Sequence, residues 1–259
     1  MKTLVHLSDL HFGRVDRSVA DALADLLRRL NPDVVAVSGD FTQRARRSQF
    51  REARAFLDSL PRPQIVVPGN HDIPLYNLFA RFFSPLGGYR RHITADLQPL
   101  HADAELAVIG MNTTQPKSHK GGAVSYQDLQ RVCSVLGGLG DHVVKVVVGH
   151  HPFDDTAAVE QMIKAGADVF LTGHLHVTYT GHTAERYDVG GRSAIVVEAG
   201  TATSTRMRGE ANAFNLLHID RDHVIVESFG WQPAQGKFAI GDSTRFERTS
   251  NGWATAPAS

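Results

Sequence analysis

Five apolar runs in this chain end in the same polar vocabulary of glycine, aspartate, asparagine and histidine. "TLVHLS" leads into Asp9 and His11, "DVVAVSG" into Asp40, "QIVVPG" into Asn70, His71 and Asp72, "VVKVVVG" into His150 and His151, and "DVFLTG" into His174 and His176. Short β-branched runs stopped by turn residues read as buried strands. In open α/β sheets, sites form outside the carboxyl ends of the strands, where residues remote in sequence converge. Singly, each polar residue has an ordinary reading as a helix cap, a turn former or a satisfied histidine. Five such coincidences at five strand ends are much less expected than one shared site.

Between the strands the hydrophobic period changes. Val19, Leu23, Leu26, Leu27 and Leu30 mark one face of a helix that stops at "NPD", and Phe50, Ala53, Leu57 and Leu60 repeat the pattern before "PRP". Further helices are expected near Pro74 to Phe83, Ser125 to Leu136 and Thr156 to Ala165. With "LAVIGMN" as another strand, strand and helix alternate through roughly the first 175 residues, which predicts an α/β fold with a largely parallel sheet. After Thr180 the helical pattern stops. "SAIVVEAG", "AFNLLHID" and "HVIVESFGW" then read as antiparallel strands of a second sheet packed on the first. No repeat or linker divides the chain, so a single domain over 1–248 is expected, with a disordered polar tail over 249–259.

Charge narrows the partners. Lys plus Arg and Asp plus Glu both number 27, so there is no bulk positive field for a polyanion or a lipid surface. Any phosphate recognition must be local. No apolar run reaches the roughly 18 residues that span a bilayer, and the N-terminus lacks the apolar core of a signal peptide. The lone Cys133 excludes an internal disulfide and suits a reducing compartment, so a cytoplasmic location is expected.

The strand-end residues mix carboxylate, amide and imidazole without thiolate, a set that suits divalent Mn, Fe or Zn rather than a cysteine-held structural zinc. They are too many for one ion. Two ions sharing a carboxylate, about 3.5 to 4 Å apart, suit in-line displacement at phosphorus.

"DLH", "GD", "GNHD", "GHH" and "GHLH", in this order, resemble the motifs of the calcineurin-like binuclear metallophosphoesterases. The resemblance covers about Thr3 to Val177 and implies a four-layer αββα sandwich of two packed mixed sheets. It implies that Asp9, His11 and His176 hold one divalent ion, that Asn70, His150 and His174 hold the other, and that Asp40 bridges them. It further implies attack by a hydroxide bridging the two metals, with His71 as the non-ligand histidine that meets a phosphoryl oxygen or protonates the leaving alkoxide, and Asp72 as its orienting partner.

Departures from the resemblance sort the subfamilies. "GDFTQRA" and "GNHD" lack the marks of the protein phosphatases. Gln43 stands where purple acid phosphatases carry an iron-ligating tyrosine, and His71 stands where lipid-A pyrophosphatases carry arginine. The chain is most similar to the bacterial class III cyclic nucleotide phosphodiesterases, which implies a small phosphodiester substrate such as a cyclic nucleotide. A nuclease, a broad-specificity phosphatase and a non-catalytic scaffold of the same fold are the alternatives.

Other features fall outside the motifs. Arg206 and Arg208 in "TSTRMRGE" are candidate substrate-binding residues, whereas Arg44, Arg46 and Arg47 read as a solvated face. Gln115 to Gly122 is long enough for a lid or a surface loop. Tyr76, Phe79, Phe82 and Phe83 read as core packing, with a homodimer interface or an apolar wall for a base as alternatives. Cys133 reads as helix packing.

Overall fold

The computed structural model describes residues 1–117, 121–183, 192–205 and 209–257. The alternation seen in the sequence builds β1 (Lys2–Leu7), α1 (Arg17–Leu30), β2 (Val34–Ser38), α2 (Arg47–Ser59) and β3 (Gln64–Val67). Two short helices follow, α3 (Leu78–Phe83) and α4 (Gly87–His92). Then come β4 (Leu100–Ala102), β5 (Leu106–Gly110), α5 (Tyr126–Gly138), β6 (Val144–Val148), α6 (Thr156–Lys164) and β7 (Val169–Thr172). The described chain finishes in strands: β8 (Tyr179–His182), β9 (Ile195–Glu198), β10 (Ala213–Ile219), β11 (His223–Gln232), β12 (Lys237–Thr249) and β13 (Gly252–Thr255). Caps set the helix ends as their chemistry requires. Asp16 accepts the backbone N–H groups of Ser18 and Val19 at the start of α1, and Asn31 closes it at φ 45°.

The strands form two mixed sheets, ordered β13-β12-β11-β10-β1-β2-β3 and β4-β5-β6-β7-β9-β8. Alternate residues of each strand point to opposite faces, and the core divides accordingly. Val5, Leu7, Val35 and Val37 pack under α1 and α2 with Leu23, Leu27, Phe50 and Leu57. Their neighbours Leu4, Val34 and Ala36 face the other way, against Val108, Val146, Val148, Val169 and Leu171 of the second sheet. Val147 and Phe170 turn outward again to meet α5 and α6, where half-buried Cys133 also packs. This is the four-layer αββα sandwich. Fully burying one such Val or Leu contributes about 1.5–3 kcal/mol.

Four expectations are corrected. The late strands do not form a separate sheet. β10 pairs antiparallel with β1, so β10 to β13 extend the sheet of β1, β2 and β3, whereas β9 pairs parallel with β7 in the other sheet. The first sheet thus takes its parallel strands from the early chain and its antiparallel extension from the late chain, whereas the second adds late β9 in parallel and ends on antiparallel β8. The tail is not wholly disordered: β13 pairs with β12, and Trp253 is 1% exposed with its indole N–H donated to Asp168 at 3.0 Å. The expected helix from Pro74 begins only at Leu78. Its aromatics are not core. Tyr76, Phe79 and Phe83 are 77%, 73% and 76% exposed, and Phe82 is exposed too. A six-residue helix has one short inner face, and Arg81 takes it by reaching the Pro74 carbonyl at 3.4 Å; Phe79 and Phe83 stack on each other outside.

Candidate metal centre

The five motifs meet where β1, β2, β3, β6 and β7 end. At Asp9, His11, Asp40, His174 and His176 the backbone adopts φ values of 54°, 48°, 54°, 71° and 62°. This left-handed region costs a non-glycine residue on the order of 1–3 kcal/mol. Five instances in one place mean that the chain bends back sharply, aiming consecutive side chains at one point. The bends are braced by each other: the Asp9 and His11 N–H groups donate to the Gly39 and Asp40 carbonyls at 3.2 and 2.8 Å, and the Gly173 N–H to His150 at 2.9 Å. Close approach also explains two glycines. A Cβ on Gly69 would lie 2.1 Å from Asp40 Oδ1, and one on Gly173 1.8 Å from Ser8 Oγ and 2.9 Å from Asp9 Oδ2.

Asp9, His11 and His176 form the first group, all buried. Asp9 Oδ1 lies 3.3 Å from His11 Nε2 and 3.4 Å from His176 Nε2. Neither Asp9 Oδ1 nor His11 Nε2 makes a hydrogen bond among the described residues. The other Asp9 oxygen is held by the Ser8 hydroxyl at 2.7 Å and the His174 N–H at 3.0 Å, and His176 Nδ1 by the Thr201 hydroxyl at 2.7 Å. Burial opposes ionisation of Asp9, yet the His11, His150 and His176 rings around it hold its carboxyl well below the usual range.

Asn70, His150 and His174 form the second. Asn70 Oδ1 lies 3.0 Å from His150 Nε2 and 3.0 Å from His174 Nδ1. His150 Nδ1 lies 2.7 Å from the Ser38 carbonyl, which can only accept, so Nδ1 carries the ring proton and Nε2 presents a lone pair. That lone pair faces Asn70 Oδ1 and, at 3.5 Å, Asp40 Oδ1. Burial keeps His150 neutral, lowering it to about 4. Three converging acceptors repel unless a cation stands among them, so the residues fit a divalent ion. Asp40 lies between the groups, with its second oxygen 3.7 Å from His11 Nε2.

The remaining residues divide. His71 Nδ1 donates to the Gln43 carbonyl at 2.9 Å, the His71 N–H donates to Asp40 Oδ1 at 2.8 Å, and the His71 ring stands edge-on to His11. The Asp72 carboxylate accepts the N–H groups of Phe41, Thr42 and Gly69 and the Thr42 hydroxyl, tying two motif loops together, and burial pushes it up to about 6. Arg206 and Arg208 lie outside the described residues, as do 118–120 of the long loop. Arg44, Arg46 and Arg47 are exposed, as expected of a solvated face.

Sequence reasoning placed His151 at a strand end without giving it a role, and missed the hydroxyls. His151 is buried, groups with His150 and His174, and is lowered to about 2 by desolvation. Thr113 Oγ accepts its N–H and that of His150 and lies 3.1 Å from His151 Nδ1. The doubled histidine in "GHH" was the available signal; nothing local marked Thr113 or Thr201.

No described helix is long and apolar enough to cross a membrane. Among solved structures, the purple acid phosphatase PPD1 from yellow lupin (Lupinus luteus) seeds has a TM-score of 0.70 at 13% identity, covering 96% of this chain and 54% of its own. Vps29 from Chaetomium thermophilum reaches 0.54 at 11% identity, with 95% and 99% covered. These likenesses concern the fold alone. In sequence, the glycerophosphodiester phosphodiesterase GpdQ of Enterobacter lignolyticus (strain SCF1) is 37% identical over 82 residues, 27% of this chain and 29% of that protein. The match thus spans under a third of that relative. The model of the calcineurin-like phosphoesterases matches residues 2–178, a stretch that contains every strand-end motif. Family match, sandwich and convergent Asp, Asn and His donors agree, and the chain belongs to the calcineurin-like phosphoesterases, hydrolases that use divalent metals.

Proposed function

We propose that this protein is a metal-dependent phosphodiesterase acting on small phosphate diesters, cyclic nucleotides among them. Asp9, His11 and His176 would hold one divalent ion, Asn70, His150 and His174 the other, and Asp40 both. The observation that carries the reading is the bare His150 Nε2 facing Asn70 Oδ1 and Asp40 Oδ1. When bound, such a pair polarises a phosphoryl group and acidifies water.

The chain's own groups supply position and protons. Thr201 and the Ser38 carbonyl orient His176 and His150, fixing which ring nitrogen faces inward. The Gln43 carbonyl holds the His71 ring beside the cluster, where it serves the leaving alkoxide as proton donor. The short similarity to GpdQ supports a diester over a monoester. The balance of 27 basic and 27 acidic residues supports a small substrate over a polymer.

The test is hydrolysis of bis(p-nitrophenyl) phosphate and p-nitrophenyl phosphate by protein loaded in turn with Mn, Fe, Zn, Co and Mg. Diester turnover that chelation abolishes is expected, and cyclic AMP, 2′,3′-cyclic nucleotides and single-stranded DNA then sort the substrate. Robust turnover by demetallated protein would overturn the reading.

A further inference from the structure

The strands that carry His150 and His174 just beyond their carboxyl ends start, at the opposite edge of the sheet, on a second cavity. It measures about 330 Å³ and is lined by Lys145 of β6, Asp168 just before β7, Arg192, Arg248 and Ser250, among others. At about 3.3 Å per residue, Lys145 and His150 stand roughly 17 Å apart along the strand. The cavity is therefore separate from the metal centre.

Its electrostatics are unbalanced at depth. Asp168 is 2% exposed and its carboxylate is already engaged: Oδ1 accepts from Arg192, Arg248 and Trp253 at 2.9, 3.0 and 3.0 Å, and Oδ2 from the Lys145 backbone at 3.0 Å. Arg248 also lies over the Trp253 ring, 4.4 Å from its centre. Lys145 is only 4% exposed, and among the described residues its ammonium has neither a hydrogen bond nor an ion pair. It projects past Gly166, where a Cβ would stand 2.9 Å from Nζ. The stem is covered along its length and the ammonium end is left to face the cavity. At depth Lys145 and Arg248 set against Asp168 leave one positive charge, and adding the exposed Arg192, Arg221, Asp141 and Asp222 leaves the same excess. Asp141, Arg192, Arg221 and Asp222 line the rim and are exposed, so solvent screens them.

We propose that this cavity binds a dianionic phosphate monoester, with the phosphate on the Lys145 ammonium, the guanidinium edge of Arg192 not spent on Asp168, and the Ser250 hydroxyl. The excess of positive charge favours an anion. Donors arriving from three segments suit a tetrahedral group with several acceptor oxygens, whereas a planar carboxylate is satisfied by one guanidinium fork.

Calorimetric titration of the full chain with methyl phosphate tests this, using Asn70→Ala to weaken binding at the metal centre. Asn70→Ala is expected to retain one methyl phosphate. Adding Lys145→Gln or Arg192→Gln should weaken that binding by about tenfold or more. Acetate should not compete. Arg192 is partly exposed, so its variant decides the matter if Lys145→Gln does not fold. No binding by Asn70→Ala, affinity unchanged in the folded variants, or acetate binding as tightly as methyl phosphate would each overturn the proposal.

Discussion

His150 Nδ1 stands 2.7 Å from the Ser38 carbonyl oxygen, a contact across 112 residues that joins the end of β6 to the end of β2. It settles the tautomer of His150, and thereby which atoms converge. If Asn70, His150 and His174 hold one ion and Asp9, His11 and His176 the other, His174→Ala and His176→Ala lose different ions. Elemental analysis of proteins loaded with two distinguishable metals checks this. Loss of the same ion from both variants would show the division to be wrong.

The Asp72 carboxylate ties the loop after β2 to the loop after β3. Because its carboxylate serves three backbone N–H groups in full burial, Asp72→Ala should lower stability by about 2–4 kcal/mol in urea denaturation. A variant of unchanged stability that has lost only turnover would point to the orienting role toward His71 instead.

Gly173→Ala places a methyl group against Ser8 and Asp9, which are fixed by their own hydrogen bonds. The smallest possible side chain should therefore weaken metal binding at the Asp9 site and cost about 1–3 kcal/mol. Wild-type metal affinity in the folded variant would mean that the loop relaxes freely.

Trp253 tests whether the C-terminal strand belongs to the fold. Trp253→Ala should cost about 3–5 kcal/mol, since it empties a buried indole site and removes a donor from Asp168. A change below about 1 kcal/mol would mean that β13 is dispensable.

Asp103 gives a pH-dependent prediction. Burial opposes its ionisation, but the N–H groups of Glu105 and Leu106 and the Lys2 ammonium hold it at about 2, below its ordinary 3.8. A depressed carboxylate stabilises the fold above its unfolded value and loses that contribution as pH falls through the folded one. Asp103→Asn should therefore cost on the order of 1 kcal/mol at neutral pH, and the gap should close between about pH 4 and pH 2. A gap that persists at pH 2 would show that the charge is not its source.

Much of the fold was legible because it is written at short range. Strand runs such as "DVVAVSG" and the apolar face from Val19 to Leu30 report their own period, and the polar residues that end each run mark a common edge. The misreadings concerned long-range pairing. Nothing in "SAIVVEAG" tells whether its partner is β7 or a later strand, and nothing in "LYNLFARFF" tells that Arg81 turns inward while its aromatics turn out. The structural part that Asp72 plays was illegible for the same reason: the backbone groups it serves at Phe41 and Thr42 come from another loop.

The chain by itself determined which residue types stand at the strand ends, because hydrophobic period and turn chemistry act over a few residues. Only the tertiary structure decided the tautomer of His150, the place of His151 beside it, the strained backbone at Asp9 and His176, and the cavity that Lys145 lines at the far edge of the sheet. Each depends on distances between segments dozens of residues apart, and those distances exist only once the two sheets have packed.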